Sequence, residues 1–163
     1  EEESLVAATT VEGSLVIWNL EDDSSSIAFQ ERAEMLGHEG KVTGCKLRTE
    51  MHTALTSSED FTLKVWDIRR GIYKSFEAQD EVLDCCFIPN GTRLLGVCKD
   101  GKIVVWDARR EDRLLLSIDA HDGWATCCDV TEDGLYGLTG GSDKLAKVWD
   151  LRGGKLIQAL SGH

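Results

Sequence analysis

The chain is poor in the features that mark most non-globular or catalytic sequences. It has one proline, Pro89, among 163 residues. No apolar run approaches the roughly 20 residues that a membrane helix needs. The acidic start Glu1-Glu2-Glu3 is unlike the basic start of a signal peptide. Positive charge is scarce: Lys and Arg number 18 against 29 Asp and Glu, a net charge of −11. That balance disfavours binding to a phosphate backbone, which depends on clustered cations, and fits a solvated acidic surface. No stretch carries helical spacing long enough to compete with strands. No G-x-S-x-G elbow and no Lys-Ser/Thr after Gly140-Gly141 is present, so neither a hydrolase nucleophile nor a phosphate loop is indicated.

Cysteine is the residue in unusual supply, at six. Cys85-Cys86 and Cys127-Cys128 are adjacent pairs without the two-to-four-residue gap of a zinc knuckle, so no metal is expected. Cys45, Cys85 and Cys128 stand three residues after Val42, Val82 and Ala125, and two before Leu47, Phe87 and Val130. That register predicts small core residues. Buried free thiols in turn predict a reducing compartment, cytoplasmic or nuclear.

What the chain does have is a repeat. Trp18, Trp66, Trp106 and Trp149 each end a short apolar run, at intervals of 48, 40 and 43 residues. Asn19, Asp67, Asp107 or Asp150 follows, and an acid precedes each Trp by six residues: Glu12, Asp60, Asp100, Asp143. Three units open on Gly37-His38, Ala78-Gln79 or Ala120-His121, and the chain ends on Gly162-His163. Alternation and turn residues predict strands. In the first unit they are Leu5–Thr9, Ser14–Trp18 and Ile27–Leu36, the last two split by the polar loop 21–26. The second has Val42–Leu47, Thr53–Ser57, Thr62–Trp66 and Ile72–Glu77. The third has Val82–Ile88, Arg93–Cys98, Lys102–Trp106 and Arg113–Ile118, its first turn being Pro89-Asn90-Gly91. The fourth has Trp124–Val130, Leu135–Thr139, Leu145–Trp149 and Lys155–Leu160. Gly71, Gly153 and Gly154 fall in turns where positive φ is expected.

This pattern resembles the WD40 repeat family, over essentially the whole chain. The resemblance implies an all-β propeller segment of four blades, about 1–36, 37–77, 78–119 and 120–163, the first lacking its innermost strand. It implies a place in a seven- or eight-bladed wheel, with further blades or a second chain completing it. A small sheet of this kind must stack on neighbours to bury both faces. The family's hydrogen-bonded relay maps onto His38, Thr56, Asp60 and Trp66 in the second repeat, and His121, Thr139, Asp143 and Trp149 in the fourth. The third repeat has Gln79 and Gly96 in place of His and Thr; the first has Ala8 and Glu12. A Thr–His–Asp set could suggest a hydrolase, but the Thr would lie inside a sheet.

The implied function is a non-catalytic scaffold or adaptor for protein partners, without cofactor, nucleic acid or membrane. Two alternatives stand beside it. Arg69, Arg109 and Arg152 form three W-D-x-R copies, like the box of substrate receptors in cullin-type ubiquitin ligases. A ligand-sensing array on a larger ATPase or kinase is the other. Trp124 falls in the register of Lys41 and Glu81, beside turns carrying Glu59, Lys99 and Ser142. It is a candidate hot spot on one rim, or else a space-filler between blades.

Overall fold

A computed structural model describes residues 4–23, 26–89, 91–110 and 113–162. It contains fifteen strands in four antiparallel sheets, each sheet following chain order. The first sheet holds β1 (Ser4–Thr9), β2 (Ser14–Asp23) and β3 (Ser26–Leu36). The second holds β4 (Val42–Arg48), β5 (Thr53–Ser58), β6 (Thr62–Asp67) and β7 (Ile72–Glu77). The third holds β8 (Val82–Ile88), β9 (Arg93–Cys98), β10 (Lys102–Asp107) and β11 (Leu114–Asp119). The fourth holds β12 (Ala125–Val130), β13 (Tyr136–Gly141), β14 (Leu145–Asp150) and β15 (Lys155–Ser161). A single 3-10 turn, Thr49–Met51, interrupts the strands among the described residues.

The sheets stack in one repeated way. The innermost strand of a blade packs on the inner strands of the blade before: β4 on β1, β8 on β4 and β5, β12 on β8 and β9. Three separate cores result, one per junction. Leu5, Leu15 and Ile17 meet Ala54, Trp66 and Ile68 between the first and second blades. Leu55, Leu63 and Phe76 meet Val82, Leu94 and Trp106 between the second and third. Leu95, Val97 and Val105 meet Ala125, Trp149 and Leu151 between the third and fourth. A middle blade is therefore buried on both faces, which is why Ile103-Val104-Val105-Trp106 on β10 is apolar without alternation.

The turn that follows β5, and its equivalent in the other blades, carries a second constraint. Gly13, Phe61, Gly101 and Lys144 each follow the repeat's turn acid, and all four have positive φ. In the first three blades the carbonyl of this residue reaches the leading loop of the next blade. Gly13 accepts from His38 N–H at 3.4 Å, Phe61 from Ala78 N–H at 2.8 Å, and Gly101 from His121 N–H at 2.9 Å.

Several expectations need correction. Glu21, Asp22, Asp23 and Ser26, expected in a loop, are strand residues: the β2–β3 ladder extends to the pair Asp23↔Ser26. Backbone pairing continues there without apolar alternation to announce it. Ser24, Ser25, Asn90 and His163 lie outside the described residues. Of the three turn glycines, Gly71 and Gly154 have positive φ and Gly153 does not. Cys127 is exposed, because the strand's alternation turns it away from the third blade while Cys128 faces it.

The glycine turns yield a test. A Cβ on Gly101 would fall inside the carbonyl oxygens of His121 and Gly123, at a φ of 83°. Gly101→Ala should cost about 1–3 kcal/mol of stability. Gly153→Ala, with open space and ordinary φ, should fall within about 0.5 kcal/mol of the parent. Urea denaturation of both variants checks the difference.

Candidate functional site

Two groups of polar side chains stand out, one inside the blades and one on a rim. The inner group is built from four separated segments. His38 precedes β4, Thr56 lies on β5, Asp60 in the β5–β6 turn and Trp66 on β6. Trp66 Nε1–H donates to Thr56 Oγ1 at 2.8 Å. Thr56 Oγ1 lies 2.7 Å from His38 Nε2, and His38 Nδ1 2.8 Å from Asp60 Oδ2. The fourth blade repeats this: Trp149 Nε1–H to Thr139 Oγ1 at 2.9 Å, Thr139 to His121 Nε2 at 2.8 Å, and His121 Nδ1 to Asp143 Oδ1 at 2.9 Å.

The carboxylate only accepts, so Nδ1 of each imidazole carries the N–H that meets it. In the second blade burial keeps His38 neutral, so its Nε2 accepts the Thr56 proton while Thr56 Oγ1 accepts from the indole. Burial holds the His38 pKa below its ordinary value, against the pull of Asp60. Burial would raise Asp60, but the Thr62 hydroxyl, His38 and the Glu39 N–H outweigh it and hold the carboxyl low. Asp143 is likewise opposed by burial and held well below the carboxylate range by His121, Lys147 and the N–H groups of Leu145 and Asp122. Thr56 and Thr139 are buried, and the set pins four separated segments together.

The third blade is built differently. Asp100 turns to the backbone and ammonium of Lys102. Gly96 leaves room for Trp106, whose ring a Cβ there would meet at 3.1 Å. A cavity of about 100 Å³ remains beside Gln79, Cys98, Asp100 and Lys102.

The rim group joins the same two registers in three blades. Glu59 N–H donates to the Lys41 carbonyl at 3.0 Å, Lys99 N–H to Glu81 at 2.9 Å, and Ser142 N–H to Trp124 at 2.8 Å. The side chains pair with the signs exchanged: Lys41 with Glu59 at 3.7 Å, then Glu81 with Lys99 at 2.8 Å. The Lys99 ammonium also stands 5.3 Å from the centre of the Trp124 ring. Trp124 is 52% exposed. The sequence placed these residues in one register; the sign exchange and the Lys99–Trp124 contact were not read from it.

The arginines occupy the opposite edge, in the β6–β7, β10–β11 and β14–β15 turns, all exposed. Arg109 grips Asp107 with two nitrogens, at 2.9 and 2.6 Å. Arg152 lies 3.5 Å from Asp150, and Arg69 Nη2 2.8 Å from His52 Nε2. Among the described residues no cluster of three His, Cys, Asp or Glu side chains could hold a metal.

The sequence profile of WD domain, G-beta repeat, matches residues 29–67, 71–107 and 112–150. The chain belongs to the WD40 repeat family. It is also similar to curated proteins named GATOR2 complex protein WDR24. The identity is 36% over 154 residues with that of Homo sapiens, covering 92% of this chain and 19% of the relative. It is 34% with that of Gallus gallus, covering 92% and 22%, and 34% with that of Danio rerio, covering 92% and 20%. The chain thus spans about a fifth of the length of these relatives. In WD40 terms the inner group is the repeat's relay, present in two blades of four.

The relay gives two expected outcomes. Thr139→Val leaves the indole and imidazole partners buried and unpaired, and should cost about 1–3 kcal/mol in chemical denaturation. His38 is held neutral, so the unfolded chain takes up its proton first. The stability it carries is complete above its ordinary pKa of about 6.5 and declines as pH falls below that. Asp60 and Asp143, held low, add stability that is present above about pH 4 and lost as pH falls through their lower folded values. Urea midpoints should therefore fall between pH 7 and pH 5, and fall less in His38→Gln.

Proposed function

We propose that this chain is a non-catalytic scaffold segment of a multi-protein complex, binding a protein partner through the rim of Trp124, Lys41, Glu59, Glu81 and Lys99. The observation that carries this reading is the exposed Trp124 ring with Lys99 over it. Leaving a Trp half in water is unfavourable unless something covers it, and an aromatic anchor ringed by paired charges is the composition of an interface hot spot. Membership of a complex is what the relatives' name says of them, and it supports the same reading here. A cytoplasmic or nuclear setting, where the thiols stay reduced, is part of the proposal.

The fourth blade carries a second face. Leu55 and Phe76 are fully buried by the third blade, but their counterparts Leu138 and Leu160 are each 45% exposed. A further blade, of the same protein or of a second chain, covers this face in the proposed assembly. The arginine turns would serve the ligase-receptor alternative, and their exposure is compatible with it. Arg109, however, is already held by its own Asp107, and nothing favours this reading over the rim.

Trp124→Ala in the full-length protein separates binding from packing. The melting temperature should stay within a degree or two of the parent's, as for a surface substitution, while the captured partner weakens by about 2–4 kcal/mol. A large fall in melting temperature, with partner lost only in proportion, would end the reading.

A further inference from the structure

Four of the six cysteines stand as adjacent pairs on neighbouring inner strands, Cys85-Cys86 on β8 and Cys127-Cys128 on β12. Alternation along β8 turns Cys85 into the core shared with the second blade and Cys86 into that shared with the fourth. Cys86 meets Cys128 there. The Cys86 thiol donates to the Cys128 carbonyl at 3.3 Å, and the Cys128 thiol donates to the Cys86 sulfur at 3.8 Å. No ladder joins β8 to β12, which belong to different sheets. The Asp84 carboxylate sets their register instead, accepting the Cys128 N–H at 2.9 Å.

The two sulfurs are not equivalent. The thiol of Cys128 donating to it, helped by the Lys46 ammonium and opposed by burial, holds Cys86 below the ordinary thiol value. The same contact, with burial, pushes Cys128 well up. Of the two, the Cys86 thiol loses its proton more readily. Cys45 and Cys98, by contrast, are pushed up by burial to about 11 and about 12, which leaves them inert.

We propose that Cys86 and Cys128 are a peroxide-sensitive dithiol that closes to a disulfide between the third and fourth blades. The Cys86 thiolate attacks one oxygen of hydrogen peroxide and breaks the O–O bond. Cys86 becomes a sulfenic acid, and the released hydroxide takes a proton to leave as water. The Cys128 sulfur then attacks the Cys86 sulfur and expels the hydroxyl. The proton from Cys128 completes the second water. Two thiols lose two hydrogens and one peroxide becomes two waters. The sulfurs must close from 3.8 Å to about 2.05 Å. Peroxide is little larger than water, and the residues retain 4% and 7% exposure. The bond would tie strands from separate sheets across a loop of roughly 40 residues, restricting the unfolded chain.

The test uses the full-length protein, reduced, exposed to hydrogen peroxide, blocked with N-ethylmaleimide and digested with trypsin without reductant. Cleavage after Lys74 and Arg93, and after Arg113 and Lys144, puts the pair on peptides 75–93 and 114–144. These two peptides should appear linked, and separate on reduction. The link should persist in Cys85→Ser and Cys127→Ser, and vanish in Cys86→Ser and Cys128→Ser. Cys86→Ala, better suited to an apolar site, repeats the test if serine prevents folding. Oxidised parent should melt above reduced parent, with no such rise in the Cys86 variants. Maleimide on both Cys86 and Cys128 after peroxide, or a link that requires Cys85 or Cys127, overturns the proposal.

Discussion

A buried threonine hydroxyl has one proton to give, and the order of the second and fourth blades depends on where it goes. Thr56 and Thr139 each accept from an indole and hydrogen-bond an imidazole Nε2. The other ring nitrogen meets a carboxylate, on which backbone N–H groups of the leading loop and of the turn also converge. Every polar atom of the chain is satisfied only while all four members are present. A strand end, a turn, the leading loop and the strand carrying the tryptophan are thereby fixed to one another. The rim follows from this, because the leading loop that positions His121 also positions Trp124 three residues later.

The third blade shows that the relay is not the only solution. It sits between two neighbours, and its strands are buried on both faces. Gly96 lets the Trp106 ring settle against β9, where apolar packing holds it. In the fourth blade the relay is buttressed by Lys147, which donates to both Asp143 and the Ala120 carbonyl. The junctions themselves are the same throughout: an apolar core, and for the first three blades a carbonyl of the positive-φ turn held by the next leading loop. Stability is then a property of neighbours rather than of single blades.

Much of this was legible because the repeat writes each position several times. The Trp-Asp ends, the acid six residues earlier and the hydroxyl four residues before it locate strands, turns and relay together. Three features escaped. Phe61 and Lys144 take the same backbone conformation as Gly13 and Gly101, but a non-glycine residue does not advertise it. The long β2–β3 hairpin runs through Glu21, Asp22 and Asp23, where backbone pairing leaves no apolar trace. The charge pairs Lys41–Glu59 and Glu81–Lys99 are visible as register, but their sign exchange needs the turns folded onto each other. Function was legible only as a class, since a partner is recognised by surface chemistry that the repeat does not constrain.

The central claim is that the relay behaves as one unit. A double-mutant cycle on His121→Gln and Thr139→Val in the full-length protein, read by urea denaturation, tests it most directly. The claim predicts that the double variant loses less than the sum of the singles, with a coupling of about 0.5–3 kcal/mol. Additive losses, agreeing within about 0.3–0.5 kcal/mol, would contradict it.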